Sequence, residues 1–377
     1  MSKKILKEQN FYRPDCRHFI GEKPCRYKRL CEGCPHYSGM DGKILLIKIG
    51  AMGDVLRTTP LLHALKEKAP HCHITWVTRS ESVELLQNNP LLDRCIALGA
   101  QDSRFLVETF DTVICLDKDP EATSLASLVQ APRKYGFLMD SRSGNLCPAN
   151  EAARYIFRLG FDDELKFRQN RKTYQEIIFE AVGLPYKRQE YIYVMTPEEK
   201  RFAEEFRTRH KVDRGNPVVG LNSGAGPVFA TKRWAKEKFV QLAERLWAEY
   251  RYRCVLFGGP HEVEKNQWIL ANARAPIVDA GCGNTLRQFA ALIDLCDILV
   301  ASDTIAMHLA IALQKKVVAL FGPTCEQEVD LYDRGRKLFV GASCAPCYRS
   351  SCENNPNCMD MISAEDVLRT VLELSGD

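Results

Sequence analysis

Short apolar runs alternate with amphipathic stretches along most of the chain from Lys43 onward. Short apolar runs between turn residues are typical of buried parallel strands, and the intervening stretches have the spacing of helices that cover such a sheet. In the first half, strands are predicted at Ile44–Ile49, Ile74–Thr78, Arg94–Leu98, Thr112–Leu116 and Lys134–Phe137. In the second half, they are predicted at Val218–Leu221, Cys254–Phe257, Ile277–Asp279, Ile298–Ala301 and Val317–Phe321. The two series predict two α/β domains, each built on a parallel sheet with right-handed crossovers.

The spacing of apolar residues in the helices and the positions of turn residues support this division into two domains. Helices are predicted at Lys172–Val182, Pro197–His210, Lys236–Tyr250, His261–Asn272, Leu286–Leu295, Asp303–Leu313 and Ser363–Leu374. Residues 141–170 show no regular period, and we expect them to form loops around a cleft. We therefore predict a cysteine-rich extension at 1–40, a first domain at 41–205, a second domain at 206–362 and a C-terminal helix at 363–377.

Bulk properties exclude several classes of protein. The 377 residues are 45% hydrophobic, which is enough for two cores, and the net charge of +4 does not indicate a nucleic-acid partner. There is no long apolar run of the kind that spans a membrane, and the N-terminal MSKKILKEQN lacks the apolar core of a secretory signal. We predict a cytoplasmic protein. Basic residues near the start favour either a peripheral contact with the inner membrane or an ordinary solvated face: Arg13, Arg17, Lys23, Arg26, Lys28 and Arg29.

The segment KILLIKIGAMGDVLRTTPLLHAL, residues 43–65, carries the clearest functional signal. A buried strand breaks at GAMG, and the helix that follows has Asp54 near its start. Ligands of open α/β sheets bind at this edge, beside the free N–H groups of a helix N-terminus. Asp54 is therefore either a functional carboxylate or simply the N-cap of its helix.

Two comparable edges occur in the second half of the chain. Residues 218–234, VVGLNSGAGPVFATKRW, run from a strand through a glycine-rich loop to Lys232. Residues 302–324, SDTIAMHLAIALQKKVVALFGPT, place Asp303 and Thr304 ahead of a helix that contains His308. Three edges of this kind indicate a ligand site shared by the two domains.

In this order and spacing, the motifs resemble glycosyltransferase family 9, the bacterial heptosyltransferases. The matching pieces are the MGDVL-type motif at Ala51–Leu62, KxW at Lys232–Trp234, GxxxE at Gly258–Glu262 and DTxxxHL at Asp303–Leu313. The resemblance spans roughly residues 43–375 and implies the GT-B architecture, in which two Rossmann-like domains face a cleft. It also implies that the C-terminal helix crosses back to the first domain.

The resemblance assigns roles at the first two edges. Asp54 matches the family's catalytic base, and Lys232 matches a lysine that binds phosphate. The backbone N–H groups of Ser223, Gly224 and Gly226 are expected to lie close to the nucleotide sugar, because glycine permits close backbone approach.

The remaining donor-site residues follow the same pattern. Glu262 matches a nucleoside contact, although a first-turn glutamate also complements a helix dipole. We expect Asp303 to bind the sugar, while the amides of Thr304 and Ile305 bind the diphosphate. His308 is either a ligand contact or a structural helix residue.

The reaction implied by the resemblance is inverting transfer of a sugar, most simply heptose from an ADP-heptose-type donor. The acceptor would be a hydroxyl of lipopolysaccharide core or of a protein. The nearest approach to a metal-binding carboxylate pair is Asp117-Lys118-Asp119, and Lys232 already supplies charge for a phosphate. We therefore predict transfer without a catalytic metal.

Sixteen cysteines are present, and half of them fall into two groups. Clustered cysteines in a reducing compartment indicate metal binding rather than disulfides. The first group also fits an iron–sulfur cluster, and the second resembles an iron-binding finger found in family members that modify autotransporter proteins. Structural Zn²⁺ or iron is thus predicted at Cys16, Cys25, Cys31 and Cys34, and at Cys344, Cys347, Cys352 and Cys358, with free thiols as the alternative.

Two other functions are compatible with the sequence. One is a GT-B nucleotide-sugar epimerase, of the UDP-N-acetylglucosamine 2-epimerase type. The other is a non-catalytic nucleotide-sugar-binding module whose cysteine-rich extension recruits a partner. The presence of Asp54 argues against the second.

Overall fold

The computed structural model describes residues 12–21, 25–99, 102–212, 215–226 and 229–376. The N-terminal MSKKILKEQN and Lys23, both used in the sequence analysis, lie outside this part of the chain. Among the described residues, no helix is both long and apolar enough to cross a membrane.

The first domain is built on a six-stranded sheet in the order β3-β2-β1-β4-β5-β6. Only β6 runs antiparallel to its neighbour. The central strand is fully buried at Leu45, Leu46 and Ile47, because strands flank it on both sides and helices cover both faces. The strands are β1 (Lys43–Ile47), β2 (His73–Thr78), β3 (Arg94–Ala97), β4 (Thr112–Cys115), β5 (Arg133–Met139) and β6 (Leu146–Pro148).

The second domain repeats this topology with every strand pair parallel, in the order β12-β11-β10-β7-β8-β9. In both sheets the strand order reverses beside the first strand, at β1/β4 and at β7/β10. Ligands of doubly wound sheets bind outside the carboxyl ends of the strands at such a reversal. The strands are β7 (Val218–Asn222), β8 (Arg253–Phe257), β9 (Ile277–Asp279), β10 (Ile298–Ser302), β11 (Lys316–Phe321) and β12 (Gly335–Phe339).

Twelve α-helices are found in the described residues. Those of the first domain and the linker are α1 (Met52–Thr58), α2 (Leu61–Lys68), α3 (Ser80–Leu86), α4 (Pro120–Leu128), α5 (Arg154–Arg158), α6 (Tyr174–Val182) and α7 (Pro197–Arg209). Those of the second domain are α8 (Lys236–Tyr250), α9 (Val263–Asn272), α10 (Leu286–Ile293), α11 (Ile305–Ala312) and α12 (Ala364–Ser375).

The predicted two-domain α/β architecture is confirmed, with small shifts at the ends of elements. The sequence analysis missed β6 and β12, which are half-exposed edge strands without a continuous apolar run. It also treated residues 141–170 as irregular, whereas they contain β6, α5 and a turn of π-helix at Leu165–Gln169.

The C-terminal helix differs from the expectation. It does not cross back to the first domain but packs against α8 and the strands β10, β11 and β12 of the second. Its apolar face is buried at Val367, Leu368 and Val371. The indole of Trp234 fixes the preceding turn by donating to the carbonyl of Ile362 at 2.9 Å.

The cysteine-rich extension lies on the first domain rather than apart from it. Arg17 donates to Asp93, which also accepts from the Lys66 ammonium at 3.1 Å and from the Ile74 amide at 2.9 Å. Asp93 is therefore satisfied by one cation from the extension and one from the domain, and burial of this cluster anchors the extension.

One buried arginine joins the two domains. Arg287 of α10 forms a two-pronged ion pair with Glu199 of α7, with Nε and Nη2 at 2.6 and 2.7 Å from the two carboxylate oxygens. It also donates to the carbonyls of Glu84 and Val194, at 3.1 and 2.6 Å. This guanidinium therefore connects α3 of the first domain, the segment between the domains that carries Val194 and Glu199, and α10 of the second domain.

Replacing Arg287 with alanine should lower the free energy of unfolding by about 3–5 kcal/mol, because Glu199 would be left as a buried, uncompensated charge. Urea unfolding of the full chain measures the loss. Arg201→Ala is the matched control, since its pair with Glu198 is 64% and 71% exposed and should contribute about 0.5 kcal/mol or less. Equal losses in the two variants would contradict the connecting role of Arg287.

Candidate active site

A cavity of about 610 Å³ lies between the two domains. Its walls come from the start of α1, from the glycine-rich loop after β7, from the start of α11 and from the segment after β11. It is lined by Ala51, Met52, Gly53, Asp54, Arg57, Lys166, Ala225, Gly226, Phe229, Lys232, Asp303, Thr304, Ile305, His308, Cys325, Glu328, Val329 and Tyr348. Most residues predicted from the three strand edges therefore meet in one cleft.

A second cavity, of about 430 Å³, continues the cleft into the first domain. The residues shared by both cavities are Ala51, Asp54, Arg57, Lys166 and Glu328. Its other walls include the loop after β4, with Asp117 and Lys118, and the face of Tyr174. A ligand in either cavity would thus reach Asp54.

Asp54 is not the N-cap of α1, so that alternative is wrong. The cap position is Ala51, and Asp54 lies in the first turn with its carboxylate free of capping. Its oxygens lie 2.9 Å from Nη2 of Arg57 and 3.5 Å from Nζ of Lys48. Burial raises the pKa of Asp54, but Arg57, Lys48 and His308 outweigh it, and the pKa falls below its usual value. Asp54 is therefore ionised at neutral pH.

Asp303 is the corresponding carboxylate of the second domain. Nζ of Lys232 lies 3.0 Å from both Oδ2 and the carbonyl oxygen of Asp303, and Nε2 of His308 lies 3.7 Å from Oδ1. Burial opposes ionisation, yet the neighbouring His308 ring and the Lys232 ammonium hold the pKa of Asp303 well below its usual range. The predicted phosphate-binding lysine and the predicted sugar-binding carboxylate are thus direct partners.

His308 connects the two domains at the centre of the cleft. Its ring is buried, lies 6.1 Å from the ring of Tyr191 in a stacked arrangement, and approaches Gly53 of α1. A Cβ on Gly53 would stand 2.5 Å from Cδ2 of His308, so only glycine admits the ring at this distance. His308 is therefore packed structurally and also lines the cavity, and its contact with a ligand stays a prediction.

The glycine-rich loop agrees only partly with expectation. Gly226 lines the cavity. Ser223 is buried, and its amide and hydroxyl both donate to the carbonyl of Phe257 at 3.1 Å. Ser223 is therefore a structural residue of the loop base, which corrects the expectation that its N–H faces a ligand.

Glu262 lies beside this loop and is almost fully buried. Oε2 accepts from the amide of Gly259 at 3.0 Å, and a Cβ on Gly224 would stand 3.3 Å from the same oxygen. Oε1 has no hydrogen-bond partner among the described residues. A buried carboxylate oxygen without a partner is costly. Glu262 does not line either cleft cavity, so its contact with a nucleoside stays a prediction.

Thr304 is the N-cap residue of α11, and its side chain makes no capping hydrogen bond. Its hydroxyl oxygen lies 3.5 Å from Nδ2 of Asn222, while the first amides of the helix face the cavity that Thr304 and Ile305 line. A helix N-terminus beside the Lys232 ammonium is a suitable site for a diphosphate.

Five further residues shape the cleft without having been singled out from the sequence: Lys48, Arg57, Lys166, Glu328 and Tyr348. The spacing of Arg57 three positions after Asp54 on one helix is a usable signal. The others come from segments with no motif, and their convergence depends on how the domains pack. Burial raises the pKa of Glu328 above its usual value.

The loop that carries the second cysteine group borders the cleft. The rings of Tyr348 and Phe167 are stacked with centroids 5.7 Å apart, and Nζ of Lys166 lies 3.9 Å from the centroid of Tyr348. The hydroxyl of Thr231, next to Lys232, donates to the carbonyl of Arg349 at 2.7 Å. The loop therefore contacts the segments that carry Lys166 and Lys232.

Neither cysteine group is arranged as a metal centre. In the part of the chain that the structure describes, no three or more His, Cys, Asp or Glu side chains converge as metal ligands. In the second group, burial raises the pKa of Cys358, and the charges of Cys347, Cys352 and Cys344 raise it further. Metal binding by the eight cysteines therefore stays a prediction.

Comparison with known proteins identifies the family of this chain. The family model for glycosyltransferase family 9 (heptosyltransferase) matches residues 103–357. Lipooligosaccharide heptosyltransferase 2 of Haemophilus influenzae is 24% identical over 313 residues, which cover 75% of this chain and 84% of that protein.

Solved structures share the fold. The family 9 glycosyltransferase of Veillonella parvula superimposes with a TM-score of 0.73 at 22% identity, covering 89% of this chain and 97% of that one. The Escherichia coli ADP-heptose lps heptosyltransferase II gives a TM-score of 0.64 at 21% identity, covering 88% and 98%. The chain belongs to glycosyltransferase family 9, and it is a glycosyltransferase with the GT-B architecture.

Lys265, beside the glycine-rich loop of the second domain, should make the stability of the protein depend on pH. Its ammonium donates to the carbonyls of Ser223 and Trp234, at 3.1 and 2.8 Å, and so ties together the two ends of the glycine-rich loop. Burial, aided by the charge of Arg233, lowers the pKa of Lys265 to about 8. In the unfolded chain the pKa of a lysine is about 10.4.

Between pH 8 and pH 10.4 the unfolded state therefore binds more protons at this position, and the folded state gains stability as the pH rises. We expect the unfolding free energy of the wild type, minus that of Lys265→Met, to increase by about 1–3 kcal/mol across this window. Urea unfolding at several pH values measures it. Lys265→Arg, which does not titrate there, should also lack the increase, and a flat difference would show that Lys265 is not perturbed.

Proposed function

We propose that this glycosyltransferase transfers heptose from ADP-heptose to a hydroxyl of a lipopolysaccharide-type acceptor, with inversion at the anomeric carbon. The observation that carries the proposal is the pairing of an ionised carboxylate, Asp54, on one wall of the cleft with Lys232 and the start of α11 on the other. The names of the relatives supply the sugar and the class of acceptor.

The second domain would hold the donor. The diphosphate would lie against the Lys232 ammonium and the amides of Thr304 and Ile305, where charge develops as the bond to the anomeric carbon breaks. Oε1 of Glu262 would accept from a ribose hydroxyl. Asp303 fixes Lys232 and is placed for the sugar hydroxyls, since a carboxylate there would repel a phosphate.

The first domain would hold the acceptor in the second cavity, with its reacting hydroxyl beside Asp54. As the acceptor oxygen bonds to the anomeric carbon, its proton becomes acidic and passes to Asp54, while ADP leaves from the opposite face. Lys48 and Arg57 keep Asp54 ionised, which makes it a weak base. A late proton transfer suits a base of this kind.

We also propose that the transfer needs no catalytic metal. The two carboxylates nearest to a metal-binding pair are already held by the protein. Asp117 accepts from Lys48 and from the amides of Ile49 and Gly50, at 3.1, 3.1 and 3.2 Å. Asp119 caps α4 and pairs with Arg79 at 2.8 Å.

The two alternative functions are not retained. Membership of family 9 identifies the chain as a glycosyltransferase rather than a nucleotide-sugar epimerase. A purely binding role does not require an ionised carboxylate such as Asp54 in the cleft. Within the family, a protein acceptor stays the second candidate beside lipopolysaccharide.

Donor binding and turnover should separate between the domains. Lys232→Ala should weaken ADP binding by roughly 1.5–3 kcal/mol, the range for a hydrogen bond to a charged group, which is about 10- to 150-fold in Kd. Asp54→Asn should keep ADP binding and lower turnover by about 10²-fold or more. Calorimetry with ADP and transfer assays with ADP-heptose measure the two effects.

Lys200→Ala, an exposed lysine on α7, is the control for lost positive charge and should change neither quantity. Loss of ADP binding in Asp54→Asn would overturn the division of labour between the domains.

We further propose that each cysteine group binds a structural Zn²⁺ or iron. For Cys344, Cys347, Cys352 and Cys358, the support is their spacing in the sequence and the influence of the other three thiols on the pKa of Cys358. A bound ion would supply cross-links to a loop that lacks a core of its own. Because this loop contacts Lys166 and Thr231, the ion would also stiffen one wall of the cleft.

Elemental analysis of protein purified without chelator should find up to two Zn or Fe atoms per chain. Cys347→Ser should lose one of them and lower stability, since structural metal binding is coupled to folding. Cys147→Ser, outside both groups, should keep the full count. Absence of metal, with all eight thiols titratable in the native protein, would leave the clusters as ordinary thiols.

A further inference from the structure

A third cavity, of about 670 Å³, opens on the first domain outside the cleft. We call it the apolar groove; its apolar walls are Leu98, Phe105, Leu106, Leu125 and Leu128. Serines and charged side chains form the remainder of its lining. Leu106 and Leu128 are 61% and 63% exposed, and the neighbouring Val107 is 81% exposed. Three large apolar side chains exposed together are unusual on a soluble surface and mark a binding surface.

The position of the apolar groove relates it to the active site. It lies where β2 and β3 end, beside α4, which is the same edge of the sheet that carries Asp54 and Asp117. Arg79 lines both the groove and the acceptor-side cavity. Its guanidinium lies 2.8 Å from Asp119 on the cavity side and 3.7 Å from Glu121 on the groove side. One ion pair therefore separates the two spaces.

We propose that the apolar groove binds a hydrocarbon chain of a lipid-linked acceptor while the sugar end of the same molecule occupies the cavity beside Asp54. This inference rests on the proposed function, which places the acceptor on this side of the cleft. An acceptor of this kind has a polar, reacting end and an apolar end, and the first domain offers a charged cavity and an apolar groove in that order. Arg79 lies at the junction, where a polar linkage between sugar and chain would pass.

Binding of a hydrocarbon chain would remove the exposed leucine side chains from water. Apolar surface that faces water in the free protein is covered when an acyl chain enters, and the gain scales with the area buried. The groove is open to solvent along its length, as required for a chain that enters from a lipid surface rather than from bulk water. Its lining also includes the charged groups of Arg79, Glu81 and Glu121, which suits a ligand with both an apolar chain and a polar end.

The test compares two acceptors and two variants of the full chain. The acceptors are a heptose-deficient lipopolysaccharide, intact and after alkaline removal of its ester-linked acyl chains. For the double variant Leu106→Ser/Leu128→Ser, the ratio of kcat/KM for intact over deacylated acceptor should fall roughly tenfold or more, since two leucine contacts are lost. Met361→Ser removes an apolar side chain of similar exposure, 44%, from the second domain and should keep the wild-type ratio.

A second readout does not depend on transfer. A fluorescent probe, dansyl-labelled dodecanoate, should bind the wild type and Met361→Ser alike, and the double variant roughly tenfold more weakly. If the wild type does not use ADP-heptose, the proposed function fails and probe binding alone decides the groove. Unchanged probe binding in the double variant overturns the inference. The inference is also overturned if sedimentation shows that the wild type is a dimer and the double variant a monomer. The groove would then be an interface between copies of the chain.

Discussion

Two partly buried carboxylates, one from each domain, face the same cleft, and the cations around them keep both ionised. Asp303 raises the pKa of Asp54 through repulsion, while Arg57 of the first domain lowers the pKa of Asp303 across the gap. Each carboxylate also has a lysine of its own domain, Lys48 or Lys232. Without these cations, burial would protonate the acids or keep the domains apart. The ionised state of the cleft is thus a property of the assembled pair of domains.

The topology explains why the acids come to this place. Both sheets have the same strand order, and in both the order reverses beside the first strand. Asp54 lies in the first turn of the helix after β1, Asp117 in the loop after β4, and Gly226 and Asp303 in the loops after β7 and β10. Facing the carboxyl edges of two such sheets brings all four loops together. The proposed division into a donor half and an acceptor half is consistent with this repeated architecture.

This is also why the sequence predicts some of the site and not the rest. Residues that follow a buried apolar strand, such as Asp54 and Asp303, are recognisable because the strand itself is recognisable. Lys166 and Tyr348 lie in segments with no periodicity, and they become neighbours only when the domains pack. Ser223 was misjudged for a related reason, because its bond to Phe257 depends on the register between β7 and β8. The edge strand β12 was missed because its exposed positions interrupt the apolar run.

The cysteine-rich loop illustrates a similar limit at a larger scale. From spacing alone it is predicted to be a metal-binding loop of the second domain. In the folded chain, Arg168 of the first domain donates to the carbonyls of Ser343 and Ala345, at 3.1 and 3.4 Å, so the loop also belongs to the contact between domains. Whatever fixes this loop therefore acts on the wall that carries Lys166.

The contact between Gly53 and His308 has a consequence for the spacing of the two domains. Gly53 lies inside α1, where glycine costs about 1 kcal/mol of helix propensity relative to alanine, and it has an ordinary helical position rather than a left-handed turn. What it provides is distance: a single carbon atom at this point would stand 2.5 Å from the imidazole of the other domain. The spacing between α1 of one domain and α11 of the other thus depends on the absence of a methyl group, and any side chain at position 53 would require the imidazole or one of the two helices to move.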